Sequence, residues 1–224
     1  VYQAVHLSHL LPDPTLPCGR TAISESWRPT AGIILAAGSA SRFGAPKLLQ
    51  IWQGKPILHH VIETALQARL SPLLLVVGAY ADQIQQTACS YPVQIIPNPD
   101  WASGQAASIR AAVQALPAHA AAAVFLLGDQ PRTPVELIDL LRQEYASSPH
   151  AILIPEAQGR SGNPTHFDRS TFAALSGLTG DSGGRQLFSL FPPHKVPWPD
   201  PQVFQDIDTP DDYAQLIAGP SSKI

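Results

Sequence analysis

Gly32-Ile-Ile-Leu-Ala-Ala37, followed by Gly38-Ser-Ala-Ser-Arg-Phe-Gly-Ala-Pro-Lys47, is the stretch on which the fold turns. A short apolar run closed by a glycine has the form of a strand buried on both faces. The segment behind it packs two glycines, two hydroxyls, a guanidinium and an ammonium into ten residues. Glycine lets a backbone bend tightly and present N–H groups to an anion. Ser39 and Ser41 add donors, Arg42 a phosphate-matching fork and Lys47 a mobile point charge. On composition alone two readings stand: a polyphosphate cradle, or a surface loop with two solvated cations. The P-loop needs Gly-Lys-Ser/Thr at a helix start, whereas Gly44 is followed by Ala45-Pro46-Lys47, and no Gly-x-Gly-x-x-Gly is present.

Outward from this stretch, strands alternate with helices. Residues 57 to 66 repeat apolar pairs at helical spacing, and strands are expected at 72–77, 93–96, 121–127 and 151–154. Helices are expected around 81–88, 105–116 and 134–145. Such alternation implies right-handed crossovers and an α/β fold: a Rossmann-like, three-layer α/β/α arrangement around a mostly parallel sheet. After Pro155 the chain is broken by glycines, and small elements packed on one side of the sheet are expected there. Residues 1–30 carry Pro12, Pro14, Pro17 and Pro29 and read as a loosely ordered tail, 31–219 as a single domain and 220–224 as a C-terminal tail.

The composition excludes several classes. In 224 residues, 14 Lys+Arg against 17 Asp+Glu leave a net charge of -3, without the basic field of a nucleic-acid binder. The longest apolar run, from Ala120 to Leu127, is far short of the ~20 residues of a membrane span. No export signal opens the chain, and Cys18 and Cys89 form neither a metal motif nor a disulfide framework, so a cytoplasmic protein is expected. None of the eight histidines stands in a zinc pattern, and no Gly-x-Ser-x-Gly elbow points to covalent catalysis.

Several later segments carry chemistry. Asp129, in Gly128-Asp129-Gln130-Pro131, caps the most apolar strand, where a carboxylate either holds Mg2+ or N-caps the next helix. Asp206 and Asp208 flank Ile207, so extended backbone puts both carboxylates on one face. Thr209, with Asp212 three residues on, reads as the cap of a helix ending near Ala218, and Asp206, Asp211 and Asp212 as structural or solvated. Gly180-Asp181-Ser-Gly-Gly-Arg185 opens a helix expected at about 185–191, whose start would suit a phosphate.

The string Leu35-Ala-Ala-Gly38-x-x-Ser41-Arg42-x-Gly44-x-x-Lys47 resembles the signature of the MobA-like nucleotidyltransferases. Five collinear segments resemble the same family: Asn98-x-x-Trp101-x-x-Gly104 with Ser108, Gly128-Asp129-Gln130-Pro131, Gly162-Asn163-Pro164, Gly180-Asp181-x-Gly183-Gly184-Arg185 and Asp206-Ile-Asp208-Thr-Pro210. Together they run from about residue 31 to about 217. The resemblance implies the nucleotidyltransferase form of the α/β/α fold. It implies a nucleoside triphosphate bound by Leu35, Ala36, Ala37, Gly38, Ser39, Ser41, Arg42, Gly44 and Lys47, with Arg42 and Lys47 catalytic. It further implies a base and ribose pocket at Asn98, Gly104 and Ser108, and Mg2+ on Asp129 and Asp208. The acceptor would meet Asn163, Asp181, Gly183, Gly184 and Arg185. Ala37, where the guanylyl branch has a second glycine, points by resemblance to the cytidylyl branch. The expected partners are then CTP and molybdopterin or molybdenum cofactor, with a client molybdoenzyme beyond. A sugar or polyol phosphate acceptor, or a cofactor carrier with little turnover, are the competing expectations.

Overall fold

The computed structural model of the protein describes residues 29–181 and 183–219. The expected tails at 1–30 and 220–224 lie outside these, apart from Pro29 and Thr30, and Thr30 already opens the first strand. The elements run in the order β1 (Thr30–Ala36), β2 (Ile51–Trp52), β3 (Lys55–Pro56), α1 (Ile57–Gln67), β4 (Leu73–Val77), α2 (Ala81–Ala88) and β5 (Gln94–Pro97). Then come α3 (Gln105–Gln114), β6 (Ala122–Leu127), α4 (Val135–Ser147), β7 (Ile152–Ala157), β8 (Arg160–Ser161), β9 (Thr165–Asp168), α5 (Phe172–Ser176), β10 (His194–Pro197) and α6 (Pro210–Ala218).

An eight-stranded sheet has the order β5-β4-β1-β6-β9-β7-β10, with β8 paired to β7; β2 and β3 form a separate hairpin. β1 is central, with Ile34 facing Leu75 of β4 and Leu126 of β6 in parallel register. Its side chains alternate between two cores, which makes three layers. Ala31 and Ile33 pack with Leu74, Val76, Ala123, Phe125 and the α3 residues Ile109 and Ala112. Ile34 and Ala36 pack on the other face with Leu75, Leu126 and the helices α1, α2 and α4 through Ile62, Ile84 and Ile138. Strands buried on both faces read as unbroken apolar runs, which is why β1, β4 and β6 stand out in the sequence.

The segment after Pro155 corrects one expectation. β9 and β10 join the sheet instead of packing on it, with β9 antiparallel between β6 and β7, and β10 parallel to β7 at the edge. β9 is only four residues, Thr-His-Phe-Asp, too short for a period-2 pattern to register. The helix expected at 185–191 is a 3-10 helix at Gly183–Ser189, beginning earlier. α6 begins as expected, with Thr209 and Asp212 forming a complete capping box.

From β1 the chain moves outward to β4 and β5, then crosses back through α3 to β6 on the other side of β1. Where the order reverses, the carboxyl ends of neighbouring strands part and leave a crevice.

Candidate active site

Three segments run into that crevice, tied to one another by backbone hydrogen bonds. The Gly128 N–H at the end of β6 donates to the Leu35 carbonyl of β1 at 3.0 Å, and the Ile207 N–H donates to the Asp129 carbonyl at 3.1 Å. The loop after β1 reverses at residues 40–44, where the N–H groups of Phe43 and Gly44 both donate to the Ala40 carbonyl at 3.0 Å. Gly44 makes this turn at φ +74°, a value that side chains resist. The loop then delivers Lys47 at the head of a short 3-10 turn whose Leu48 is buried in the core.

The three segments meet at one ammonium. Lys47 Nζ lies 2.5 Å from Asp129 Oδ2 and 2.8 Å from Asp208 Oδ1, and Arg42 Nη2 lies 2.9 Å from Asp208 Oδ2. Asp208 is itself held, its N–H donating to Asp212 Oδ2 of the capping box at 3.1 Å. Burial pulls the Lys47 ammonium down, but the charges and hydrogen bonds of Asp129 and Asp208 outweigh it and leave it above its ordinary value. Beside them, Asp206 accepts from Gln130 Nε2 at 2.7 Å. Burial and then the Asp129 charge push its carboxyl up to about 6, against the pull of Gln130 and Lys47.

Among the described residues, no group of three or more His, Cys, Asp or Glu side chains could hold a metal ion unaided. Asp129 and Asp208, both reaching the position of one cation, form a pair of hard oxygen donors. Such a pair suits Mg2+, which takes one or two carboxylates and fills its shell with phosphate oxygens and water.

Three adjoining cavities open from this point, all touching Leu35. A chamber of about 330 Å³ beneath the first loop is lined by Ala36, Gly38, Ser39, Ser41, Arg42 and Lys47, with Asp129 and Asp208 opposite. A cleft of about 700 Å³ continues along Ala37, Trp101, Gly104, Ser108 and the same two aspartates. A third cavity of about 640 Å³, lined by Asn163, Gly184 and Arg185, shares Gln105, Asp181 and Asp206 with the cleft.

Most of the expected site residues therefore gather around one crevice; three do not line it. Asn98 is buried, donating Nδ2 to Ser108 Oγ at 3.0 Å and accepting from the Asp100 N–H at 3.1 Å; it braces the cleft wall. Gly44 serves the turn. Gly183 is buried at φ +57°, a backbone conformation that side chains resist, so it serves the chain's turn. Asp181 touches all three cavities and also accepts from the Gln105 N–H at 3.1 Å, capping α3 from a distant segment. Gly104, at φ +105°, allows this approach, since a Cβ there would lie 2.7 Å from the Gly180 carbonyl oxygen.

Other residues of the crevice do not stand out in the sequence. Asp206, expected to be structural or solvated, lines two of the cavities. The alternation with Asp208 was the available signal. Tyr80 donates its hydroxyl to the Ser39 carbonyl at 3.0 Å and walls the chamber beneath the first loop, and Arg160 lines the third cavity. Neither belongs to a motif; only the tertiary fold brings them in.

The mostly parallel sheet flanked by helices is that of the Rossmann-like nucleotidyltransferase fold. Residues 32–196 match the profile of the MobA-like NTP transferase domain, and the chain belongs to that family. It is similar to the molybdenum cofactor cytidylyltransferase of Escherichia coli K12, 30% identical over 183 residues that cover 81% of this chain and 92% of that one. It is also similar to the nicotine blue oxidoreductase of Paenarthrobacter nicotinovorans, 27% identical over 92% of this chain and 99% of that one. Among solved structures, Rv0371c of Mycobacterium tuberculosis H37Rv superposes with a TM-score of 0.78 at 26% identity, covering 87% of this chain and 100% of that one. A second structure of Rv0371c is a complex with manganese, with a TM-score of 0.72 at 25% identity, over 85% of this chain and 98% of that one. Among the described residues, no helix is long and apolar enough to cross a membrane.

Proposed function

We propose that the protein transfers the cytidylyl group of CTP to the phosphate of molybdopterin or molybdenum cofactor and releases pyrophosphate. The observation that carries this reading is the adjacency of two chambers of similar size. The cleft and the third cavity meet at Asp181 and Asp206, and the cleft runs on to Lys47, Asp129 and Asp208 through the chamber beneath the first loop. A substrate in each would place an acceptor phosphate beside a nucleotide α-phosphate. An acceptor oxygen attacks the α-phosphorus, the bond from that phosphorus to the bridging oxygen breaks, and pyrophosphate leaves with the electron pair. An ionised acceptor phosphate needs no base and no protein nucleophile, so positioning and charge neutralisation suffice.

Arg42, Lys47 and the loop from Leu35 to Gly44 bind the triphosphate in this reading. Asp129 and Asp208 hold Mg2+, which when bound neutralises phosphate charge. The manganese complex of Rv0371c supports divalent-metal use. The buried Ala37 methyl lines the cleft and occupies room that a glycine would leave, which favours a small pyrimidine base. The name of the E. coli relative supports the acceptor. The setting is the cytoplasm, where a client molybdoenzyme would take the product.

Pyrophosphate release measured with each nucleoside triphosphate, Mg2+ and molybdopterin tests the reading. CTP should be preferred, and Asp129→Ala should abolish release while melting stays cooperative. A preference for GTP would overturn the base assignment. Tight molybdopterin binding with no release from any triphosphate would replace transfer by carriage.

A further inference from the structure

The cleft and the third cavity share five lining residues: Leu35, Gln105, Leu127, Asp181 and Asp206. Two are apolar and two are carboxylates, so among the described residues Gln105 alone brings a side-chain N–H to the place where the cavities join. Gln105 opens α3, and its backbone is fixed there: its N–H donates to Asp181 Oδ1 at 3.1 Å, and the next N–H, of Ala106, donates to the Gly180 carbonyl at 3.1 Å. The Ala107 N–H turns back to the Gly104 carbonyl at 3.2 Å. With these first N–H groups of the helix already satisfied, a ligand at this helix start meets the Gln105 side chain. That half-buried carboxamide makes no hydrogen bond among the described residues. Two other carboxamides nearby are spent, Asn98 on Ser108 Oγ and Gln130 on Asp206. The Gln105 Oε1 lies close to the position a Cβ would take on Gly183, so the free amide rests against the glycine-rich turn that runs on into Arg185.

In the nucleotidyl-transfer reading, on which the inference rests, the acceptor phosphate and the nucleotide α-phosphate meet where the two cavities join. An ionised Asp181 or Asp206 can only accept hydrogen bonds and repels an anion, and the side chains of Leu35 and Leu127 offer nothing polar. We propose that Gln105 positions the acceptor: its Nε2 donates to a non-bridging oxygen of the attacking phosphate and holds it beside the α-phosphorus. A neutral donor suits this place. A cation set between Asp181 and Asp206 would be drawn into ion pairs with them, as Lys47 is with Asp129 and Asp208, whereas a carboxamide stays available. A hydrogen bond to a charged oxygen is stronger than one between neutral groups, and orienting two reactants is among the larger contributions a protein makes to a bimolecular step.

Pyrophosphate release by the full chain at saturating MgCTP, with molybdopterin varied, tests this alongside calorimetry of MgCTP binding without acceptor. Gln105→Met keeps the length of the side chain and removes the donor. Its kcat/KM for molybdopterin should fall roughly ten- to hundred-fold, the scale of one hydrogen bond to a charged group, while its Kd for MgCTP stays within about two-fold of wild type. Gln105→Glu keeps the shape and carries the test should Gln105→Met fail to melt cooperatively. At pH 8 its carboxylate repels the phosphate, so its kcat/KM should fall by at least as much. Relative to wild type its activity should climb as the pH drops towards 5 and the carboxyl regains a proton to donate, which a residue needed only for packing would not show. Wild-type kcat/KM in Gln105→Met overturns the proposal, as does wild-type kcat/KM in Gln105→Glu at pH 8. So does a loss of MgCTP affinity that matches the loss of turnover, which would give the amide to the nucleotide instead. These three results leave nucleotidyl transfer standing, whereas a wild-type chain that releases no pyrophosphate overturns both.

Discussion

Replacing Lys47 by methionine is the perturbation that most directly probes how the active crevice is held together. The substitution keeps much of the side-chain volume and removes the charge shared by Asp129 and Asp208, at 2.5 and 2.8 Å. Taking one partner from a fully buried ion pair costs about 3–5 kcal/mol. Here the side chains of Lys47, Asp129 and Asp208 keep 14%, 18% and 32% of their exposure, and Arg42 still reaches Asp208, so the loss falls at or below the low end of that range. A loss of about 2–3 kcal/mol is expected, lowering the melting temperature of a domain this size by roughly 4–12 °C. The variant should also respond more strongly to divalent metal. On the proposed function, a metal ion would compete with the Lys47 ammonium for both carboxylates in the wild type, and in Lys47→Met that competitor would be gone. A cation present at about ten times its Kd adds about 1.4 kcal/mol. Thermal melts at pH 7.5 and low salt, with and without Mg2+, read both effects, and pyrophosphate release should be abolished throughout. If Lys47→Met melts within about 1 °C of wild type, or if Mg2+ shifts both proteins equally, the ammonium does not organise these carboxylates and the argument fails.

Three further outcomes follow from individual contacts. His166 is fully buried in β9, packed 4.3 Å from the Tyr145 ring, and burial pushes its imidazole down to about 3 despite the nearby Asp168. The neutral ring's contribution is fully present above the unfolded value of 6.5 and is lost as pH falls towards 3. About 2 kcal/mol should disappear between pH 7 and pH 5 in urea unfolding, and His166→Phe should flatten that slope. Asp206 acts in the opposite direction: its carboxyl sits near 6, so stability present below the unfolded value of 3.8 is lost as pH rises through 6. Asp206→Asn should therefore melt higher than wild type at pH 8, with the difference shrinking by pH 5; a constant difference would refute the titration. Thr209→Ala removes the oxygen that accepts from the Asp212 N–H at 3.2 Å, costing about 1 kcal/mol of stability. Because Asp212 also accepts from the Asp208 N–H, pyrophosphate release should fall several-fold with it, and an unchanged rate would uncouple the cap from the site.

The features legible in the linear chain are local or strongly periodic. Runs such as Leu73–Val77 and Ala122–Leu127 announce doubly buried strands, and the α6 cap is legible because Thr209 and Asp212 carry their chemistry within one turn. The loop from Gly38 to Lys47 stands out by composition, and its collinear string with Lys47 carries the family resemblance, although composition alone leaves a solvated surface loop equally open. The remaining features come into being when distant segments meet. Nothing near Asn98 shows that its amide is spent on Ser108 and Asp100, nor near Asp181 that its carboxylate caps a helix 76 residues away. The insertion of β9 between β6 and β7, which carries Thr165 and Phe167 into the third cavity, depends on pairing partners far along the chain. Lys47 could be read as a phosphate ligand, but its contacts lie 82 and 161 residues away in sequence. Periodicity and capping act within a few residues and so survive in the linear chain. Burial, charge pairing and the sharing of cavity walls arise between segments, and exist only once the chain has folded.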